Sequence, residues 1–406
     1  MSANKRRFEL VEGSSSKFWE IALDGASYTV TYGRIGSSGV SKTTETASAE
    51  EAAADVAKLI REKTKKGYTE PGSSAPPAFR PPVHIGTHEH LERFMNYKVV
   101  DFAPDAEDEE SASQGGRRKL AALRELDKYV FAVRLDYEEE ASIFNDRMDA
   151  LFNDPKVAEL RGLVIGNWFG DSPEPSNDVV ALLAKQGGRL KALKGLFFGD
   201  IVQEEQEISW IQQSDCGALV RGLPQLEELV IRGGEDLRLT KLASESLTSL
   251  TLQTGGLSAK AVADVIAGKL PKLRSLVLWL GDDNYGGDCT VEDLAPLLAG
   301  SKLPALEHLG LQDSRIQDDI AIAVAKSPLL ARLKSLDLSM GTLSDTGGEA
   351  LLASPHIRKL QHLNLRHHYM STAMMAKLKA LGIPSLDVSD REEGEEEDDR
   401  YIEVSE

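Results

Sequence analysis

One apolar phrase, Leu-x-x-Leu-x-Leu or a close variant, recurs between residues 160 and 388. The second leucine of each phrase marks the register, and these leucines are Leu163, Leu196, Leu229, Leu250, Leu276, Leu309, Leu336, Leu363 and Leu386. They lie 33, 33, 21, 26, 33, 27, 27 and 23 residues apart. Such spacings are typical of repeats that contain one strand and one helix.

The phrase also predicts how the repeats pack. Strand side chains alternate between two faces, so the outer residues of Leu-x-Leu point the same way. A single repeat cannot bury its leucines, and each must therefore stack on the next to form a continuous core. Apolar residues at helical spacing fill the intervals, over residues 259–267, 291–299, 320–325, 348–352 and 372–381. The sequence predicts an α/β leucine-rich-repeat solenoid over residues 159–390, with parallel strands inside and helices outside.

Charge is distributed unevenly along the 406 residues. The formal net charge is −18, whereas residues 1–70 carry eleven basic and ten acidic side chains, a balance of +1. An acidic solenoid repels a phosphate backbone, so any role in binding nucleic acid is expected within residues 1–70 only.

Cysteine usage and the apolar runs indicate the compartment. Cys216 and Cys289 are too few to staple a chain of this length, which favours a reducing cytosol. No run has the length of a signal-peptide core or a membrane span. We therefore expect a cytoplasmic protein that is not associated with a membrane.

The first seventy residues predict a small α+β domain. Alternating residues 8–12, 18–23, 27–32 and 42–46 predict strands separated by Gly- and Ser-rich turns. A helix over residues 48–66 is predicted to follow, where Ser48 and Glu51 have the spacing of a capping box.

Three motifs in this region resemble the WGR domain. They are Lys17-Phe18-Trp19-Glu20-Ile21, Tyr32-Gly33-Arg34-Ile35-Gly36 with Gly39, and Lys65-Lys66-Gly67-Tyr68. WGR domains occur in poly(ADP-ribose) polymerases, where the aromatic and the arginine of the motif meet the terminal nucleotide of a DNA break and the domain docks onto the catalytic region. They also occur in bacterial proteins. The resemblance implies that Tyr32, which replaces the usual Trp, and Arg34 occupy the contact positions.

Basic side chains crowd the same region. Lys42, Lys63, Lys65 and Lys66 join Tyr32 and Arg34 as candidate nucleic-acid-binding residues, because such a patch can hold phosphates. Alternatively, the lysines at the helix end only complement the helix dipole.

Residues 71–158 predict a linker followed by a cap. Residues 71–85 are rich in Pro, Gly and Ser, which predicts a flexible linker. His84, His88 and His90 follow closely, and we interpret them as solvated residues that open a short helix over residues 89–95, with a metal site as the alternative. Residues 86–158 are expected to cap the first repeat, because an open end would expose leucines.

Within this cap and at the far end, acidic segments predict less ordered chain. Residues 101–112 are expected to be disordered and residues 114–119 to form a mobile loop. A strand over 129–136 and a helix over 141–152 are predicted to follow. Residues 391–406 are expected to form an acidic tail that contains a terminal strand.

A second resemblance starts near Gly86 and spans about three hundred residues. The phrases that carry it include Leu163-Val164-Ile165-Gly166-Asn167-Trp168, Tyr285-Gly286-Gly287-Asp288 and Arg400-Tyr401-Ile402-Glu403-Val404-Ser405-Glu406. They are similar to an uncharacterised family of bacterial leucine-rich-repeat proteins. The resemblance implies a horseshoe like that of ribonuclease inhibitor and brings no activity with it.

The predicted solenoid presents side chains on its concave face and on the loops that leave one edge. The candidate partner-binding residues are Trp168, Arg232, Gln253, Trp279, Asp282, Asp283, Tyr285, Gln312, Arg366 and His367. An exposed Trp among charged and amide groups is typical of a binding hot spot. Alternatively, Trp168, Trp210 and Trp279 fold under their own loops as a satellite core.

Enzyme signatures are absent from the sequence, including Gly-x-Ser-x-Gly, His-Glu-x-x-His and paired Cys-x-x-Cys. An enzyme that uses a divalent cation held by Asp282, Asp283 and Asp288 remains an alternative. We expect a non-catalytic recognition protein without cofactor, metal or small-molecule substrate, which binds a protein partner. Two alternatives are recognition of DNA ends through the WGR module and a pure protein–protein adaptor in a bacterial regulatory system.

Overall fold

The computed structural model of the chain describes residues 4–12, 15–35, 39–65, 68, 86–104, 109–113, 116–136, 139–394 and 399–406. The chain splits into two compact units, Met1–Arg80 and Pro81–Glu406. The predicted linker over residues 71–85, together with Lys66 and the side chain of Lys65, lies outside the described residues.

The first unit is a four-stranded antiparallel sheet with one helix. Its elements are β1 (Asn4–Glu12), β2 (Ser15–Asp24), β3 (Ser27–Arg34), β4 (Val40–Glu45) and α1 (Ala49–Lys65), and the strand order is β1-β2-β3-β4. Phe8, Trp19, Ile21, Tyr28 and Ala52 form its buried core, so α1 packs against the face that carries Trp19. The small α+β domain predicted from the sequence is confirmed.

The second unit is built on one fourteen-stranded sheet. Its first strands are β5 (Arg93–Phe94), β6 (Tyr97–Phe102), β7 (Glu109–Ser113), β8 (Gly116–Ala121) and β9 (Tyr129–Val133). The repeats contribute β10 (Gly162–Ile165), β11 (Gly195–Phe198), β12 (Glu228–Arg232), β13 (Ser249–Gln253), β14 (Ser275–Gly281), β15 (His308–Ser314), β16 (Ser335–Asp337), β17 (His362–Asn364) and β18 (Ser385–Asp387).

A helix precedes each repeat strand except β13, which follows β12 through residues 233–248 without one. The helices of this unit are α2 (Ala141–Asn153), α3 (Asn177–Lys185), α4 (Gly217–Gly222), α5 (Ala259–Ala267), α6 (Val291–Leu298), α7 (Gln317–Lys326), α8 (Asp345–Ala353) and α9 (Thr372–Lys379). In the part of the chain that the structure describes, no helix is both long and apolar enough to cross a membrane.

The register of the sheet matches the periodicity of the sequence. Strands β10 to β18 run parallel in chain order, and the marker leucines pair directly, Leu163 with Leu196 and so on to Leu363 with Leu386. Leu250, Leu276, Leu309 and Leu336 are fully buried in one continuous core. The predicted solenoid is therefore confirmed.

The cap differs from the sequence prediction in two places. The helix expected over residues 89–95 is wrong, because Met95 and Asn96 both have positive φ, of 52° and 68°, and turn the chain from β5 into β6. Asn favours such a hairpin turn. The disorder expected over 101–112 and the loop expected over 114–119 are wrong where strands β6, β7 and β8 include those residues. Backbone hydrogen bonds between β6, β7 and β8 order this edge of the sheet. Amino-acid composition does not reveal such pairing.

The far end also differs from the prediction. The expected terminal strand is absent from residues 399–406, which run as irregular chain across the ends of the repeat strands. We call residues 399–406 the C-terminal strap.

Candidate partner-binding surface

The predicted concave-face side chains bond to one another across the repeats. The Arg232 Nε donates to Gln253 Oε1 at 3.0 Å, and the Trp279 Nε1 donates to Gln312 Oε1 at 3.1 Å. All four side chains are buried, and Trp279 is only 1% exposed. The expectation that they are exposed to a partner is wrong. Neighbouring repeats satisfy their polar groups, which is how buried polar groups are normally accommodated.

The first repeats have an apolar inner face covered by the β5–β6 hairpin. Phe94 of the hairpin packs against Phe197 with ring centroids 6.2 Å apart, beside Val164 and Val230. A Cβ on Gly195 would lie 2.1 Å from the Met95 sulfur, so glycine makes room for the hairpin there. The concave face of the first repeats is therefore covered by the β5–β6 hairpin.

A buried cluster of charges fastens the same segment. Arg134 donates to Asp101, with Nη2 2.6 Å from Oδ1, and also pairs with Asp200. Arg232 donates from Nη2 to the carbonyl oxygen of Gly86 at 2.7 Å. Burial alone favours the neutral acid, but the charge of Arg134 overcomes it and holds the pKa of Asp200 well below its usual range.

His90 belongs to this cluster and is buried, so the expectation that it is solvated is wrong. Its Nδ1 lies 3.6 Å from Asp200 and its Nε2 lies 3.3 Å from Glu205. Burial and the nearby Arg134 lower the pKa of His90, but the two neighbouring carboxylates outweigh them, and the net shift is upward. His88 is exposed and His84 lies outside the described residues.

Two of the three carboxylates considered as cation ligands accept hydrogen bonds from backbone N–H groups. Asp282 Oδ1 accepts from the Asn284 backbone N–H at 2.9 Å, and Asp288 Oδ1 accepts from the Ala259 backbone N–H at 2.6 Å. Asp283 is exposed. Within the described ranges, no group of three or more His, Cys, Asp or Glu side chains is arranged to hold a metal ion.

Two of the three solenoid tryptophans are packed, as the alternative interpretation predicted. Trp168 donates from Nε1 to the Glu174 carbonyl oxygen at 3.0 Å and stacks on Phe198 with centroids 5.4 Å apart. Trp168 and Trp279 are thus part of the interior. Trp210 is different, because 58% of its surface is exposed.

Trp210 lines an open cleft on the edge where the strands end. This loop-edge cleft has a volume of about 520 Å³ and is also lined by Tyr285, Gly234, Gly256 and Arg238. Of the partner-binding residues predicted from the sequence, only Tyr285 lines this cleft, and Trp210 was not among those residues.

The C-terminal strap crosses the same edge and engages Arg366 and His367. Arg366 pairs with Glu403 of the strap and with Asp390, 2.7 Å away. His367 is buried, and its Nε2 lies 3.2 Å from the Tyr401 carbonyl oxygen. Tyr285 donates its hydroxyl hydrogen bond to Glu406. The strap therefore ends against the rim of the loop-edge cleft.

The candidate nucleic-acid residues of the first unit lie on one side of its sheet. Tyr32 is paired across strands with Trp19 and with Val40, and Lys42 is paired with Val30, so Tyr32, Arg34 and Lys42 share the face that α1 covers. Tyr32 is 49% exposed, and Arg34 and Lys42 are exposed as well. Lys63 is half-buried, with its Nζ 5.6 Å from the Trp19 ring centroid.

Comparison with known proteins identifies the first unit. The sequence profile of the WGR domain family matches residues 4–75. The "Uncharacterized protein YfeS" of Escherichia coli K12 is 42% identical over 66 residues, which are 16% of this chain and 27% of that protein. The chain thus spans about a quarter of the length of this curated relative.

Solved structures extend the comparison to the whole chain. An internalin (inlF) of Listeria monocytogenes is 14% identical over 68% of this chain and 74% of that chain, and its TM-score of 0.31 adds nothing to the fold assignment. A protein of Bacteroides fragilis, solved by the Northeast Structural Genomics Consortium, is 30% identical over 99% of this chain and 100% of that chain, with a TM-score of 0.65. The chain belongs to one family with this Bacteroides fragilis protein, and in this chain a WGR domain precedes a leucine-rich-repeat solenoid.

Proposed function

We propose that this is a non-catalytic recognition protein whose solenoid binds a protein partner at the loop-edge cleft. The observation that carries the proposal is Trp210, which is 58% exposed on a cleft that also contains Tyr285. Trp and Tyr dominate the binding energy of protein interfaces, and an exposed aromatic in a concave site is a natural anchor. The inner face of the first repeats is not the proposed site, because the β5–β6 hairpin covers it.

The chemistry of the described side chains supports a non-catalytic role. Burial raises the pKa of the Cys216 and Cys289 thiols to about 12, so neither is an available thiolate at neutral pH. Asp282 and Asp288 cap turns, and the buried Asp200 is held by arginine. No cofactor, metal or small-molecule substrate is part of the proposal.

The test is affinity capture with the immobilised full chain from a nuclease-treated lysate, followed by titration of the purified partner. Trp210→Ala is expected to weaken binding at least tenfold, since hot-spot residues cost about 2 kcal/mol or more. Tyr32→Ala is the matched control, because it removes an exposed aromatic from the other unit. Equal binding by the Trp210 variant and the unchanged chain contradicts the proposal.

Recognition of DNA ends by the WGR unit is a second candidate, supported by the exposure of Tyr32 beside Arg34 and Lys42. The test is gel-shift titration of the full chain with blunt, nicked and single-stranded DNA at increasing salt. Arg34→Ala is expected to weaken binding and flatten its salt dependence, whereas Lys58→Ala, on an exposed part of α1, leaves both unchanged. Absence of any shift at low salt excludes this role and leaves the pure adaptor.

A further inference from the structure

We propose that the C-terminal strap occupies a peptide-binding groove, and that the partner presents an extended acidic and apolar segment that replaces the strap. The groove consists of residues at the carboxyl ends of β14, β15, β16 and β17 and in the loops that follow them, all of which contact the strap. This inference rests on the proposed function, because it names the chemistry of the partner at the same edge of the solenoid.

The groove binds the main chain of the strap at several successive repeats. The Tyr401 carbonyl oxygen accepts from the Tyr369 hydroxyl at 3.1 Å. The Glu403 N–H donates to the Met340 carbonyl oxygen at 2.8 Å, and the Val404 N–H donates to Asp313 Oδ1 at 3.0 Å. Backbone bonds of this kind hold an extended peptide regardless of its exact sequence.

Side chains of the strap supply a pattern that can be recognised. Ile402 is 4% exposed and Val404 packs against the solenoid core, whereas Glu403 between them pairs with Arg366. Alternation of this kind is expected where one face of an extended chain is bound. The groove therefore selects an aliphatic residue, an acid and a second aliphatic residue in sequence.

Three observations indicate that the strap is replaceable. It forms no strand pairing with the repeats, and Tyr401 is 55% exposed. Residues 387–406 carry eleven acids and two arginines, so the strap belongs to an acidic stretch of an acidic chain. Finally, the second oxygen of Asp313, Oδ2, is buried and accepts no hydrogen bond from the described residues. A partner segment with one additional polar group would satisfy this oxygen, which the strap leaves unsatisfied.

The test uses the full chain without residues 399–406 and a labelled synthetic peptide of the sequence Asp-Arg-Tyr-Ile-Glu-Val-Ser-Glu. We expect fluorescence anisotropy to show saturable binding to the shortened chain. Binding to the intact chain should be at least tenfold weaker, because the tethered strap competes at high effective concentration. Absence of binding to a folded shortened chain overturns the proposal.

Charge reversal checks that the peptide occupies the groove. Arg366→Glu in the shortened chain is expected to weaken peptide binding at least tenfold, and a peptide with Lys at the position of Glu403 restores it. Arg358→Glu is the matched control, since this exposed arginine lies on the Ile357–Lys359 turn outside the groove. If both arginine variants behave alike, the peptide binds elsewhere and the proposal fails.

Hydrogen exchange provides a readout that does not depend on folding of the shortened chain. In the intact chain, the amides of Glu403 and Val404 are expected to exchange at least a hundredfold faster than that of the core residue Leu309. Exchange of all three at one rate means that the strap opens only with the whole solenoid, which overturns the proposal.

Partner capture separates this inference from the proposed function. Removal of residues 399–406 is expected to increase capture of the partner at least fivefold, and unchanged capture overturns the inference while leaving the role of Trp210 intact. The opposite outcome is also informative. If Trp210→Ala has no effect on partner capture, the loop-edge cleft is not the partner site. If the shortened chain still binds the peptide in that case, the groove proposal stands.

Discussion

Two segments of the chain cover surfaces of the solenoid, and they do so with different chemistry. The segment over residues 86–102 buries Phe94 and a cluster of charges that includes Arg134 and Asp200. The C-terminal strap buries Ile402 and leaves its ion pair between Arg366 and Glu403 partly exposed. Separating a buried pair leaves an uncompensated charge, whereas water solvates an exposed one. The segment over residues 86–102, which we call the first cover, is therefore a permanent part of the fold. The C-terminal strap, the second cover, can open.

The largest expected effect is the loss of Asp200, which tests whether the first cover is permanent. Asp200→Ala removes the carboxylate that faces Arg134, Arg232 and His90, all of them buried. We expect the free energy of unfolding to fall by about 3–5 kcal/mol, because the cations left behind have fewer partners. Urea unfolding followed by far-UV circular dichroism measures this change.

The matched control removes a carboxylate from an exposed pair. Glu227→Ala separates Glu227 from Lys194, 2.7 Å away, and both side chains are more than 40% exposed. Such pairs contribute about 0–1 kcal/mol. If the Asp200 variant costs no more than the Glu227 variant, the buried charge cluster does not hold the segment over residues 86–102 in place.

A smaller effect is expected from His90, whose charge makes the first cover depend on pH. The pKa of His90 is raised in the folded chain above its ordinary value of 6.5, because Asp200 and Glu205 outweigh burial and Arg134. The stabilisation that it provides is therefore fully present below about pH 6.5 and is lost as pH rises through the folded pKa.

The measurement compares the unchanged chain with His90→Gln at pH 6 and pH 9. At pH 6 the variant is expected to unfold about 2 kcal/mol more easily, because it leaves the buried carboxylates of Asp200 and Glu205 without one cationic neighbour. At pH 9 the difference is expected to shrink, because the stabilisation by charged His90 is lost as pH rises. A difference that grows with pH contradicts the assigned direction of the shift.

The repeat strands and their register are predictable from sequence because one physical rule determines both. Every marker leucine from Leu163 to Leu363 must be interior, and a shift of one residue would expose it. The burial of Trp279 is less evident, because a Trp after a repeat strand fits an exposed hot spot as well as an interior position. Its hydrogen bond to Gln312 comes from the adjacent repeat, 33 residues away.

The covered inner face had a signal in the sequence that the periodicity argument did not use. The middle positions of the first phrases are Val164, Phe197 and Val230, whereas later ones include Asp337 and Asn364. Apolar residues on both faces of a strand indicate that both faces are buried. The path of the C-terminal strap has no such signal, because its contacts to Asp313 and Arg366 join distant parts of the chain.

The smallest expected effect is on the strap, where Ile402→Ala distinguishes a replaceable cover from a permanent one. Truncating a core isoleucine lowers the free energy of unfolding by about 2–5 kcal/mol. For a segment that opens locally, however, this loss cannot exceed the free energy with which the segment docks onto the rest of the fold. Although Ile402 is only 4% exposed, we therefore expect global unfolding to change by less than about 1 kcal/mol. The Val404 amide should nevertheless exchange faster, while that of Leu309 is unchanged.

Ile357→Ala is the control, because Ile357 is fully buried within the repeats. Its truncation should lower the free energy of unfolding by the full amount expected for a core isoleucine. Equal losses of stability in the two variants would mean that the strap is as much a part of the solenoid core as the repeats themselves.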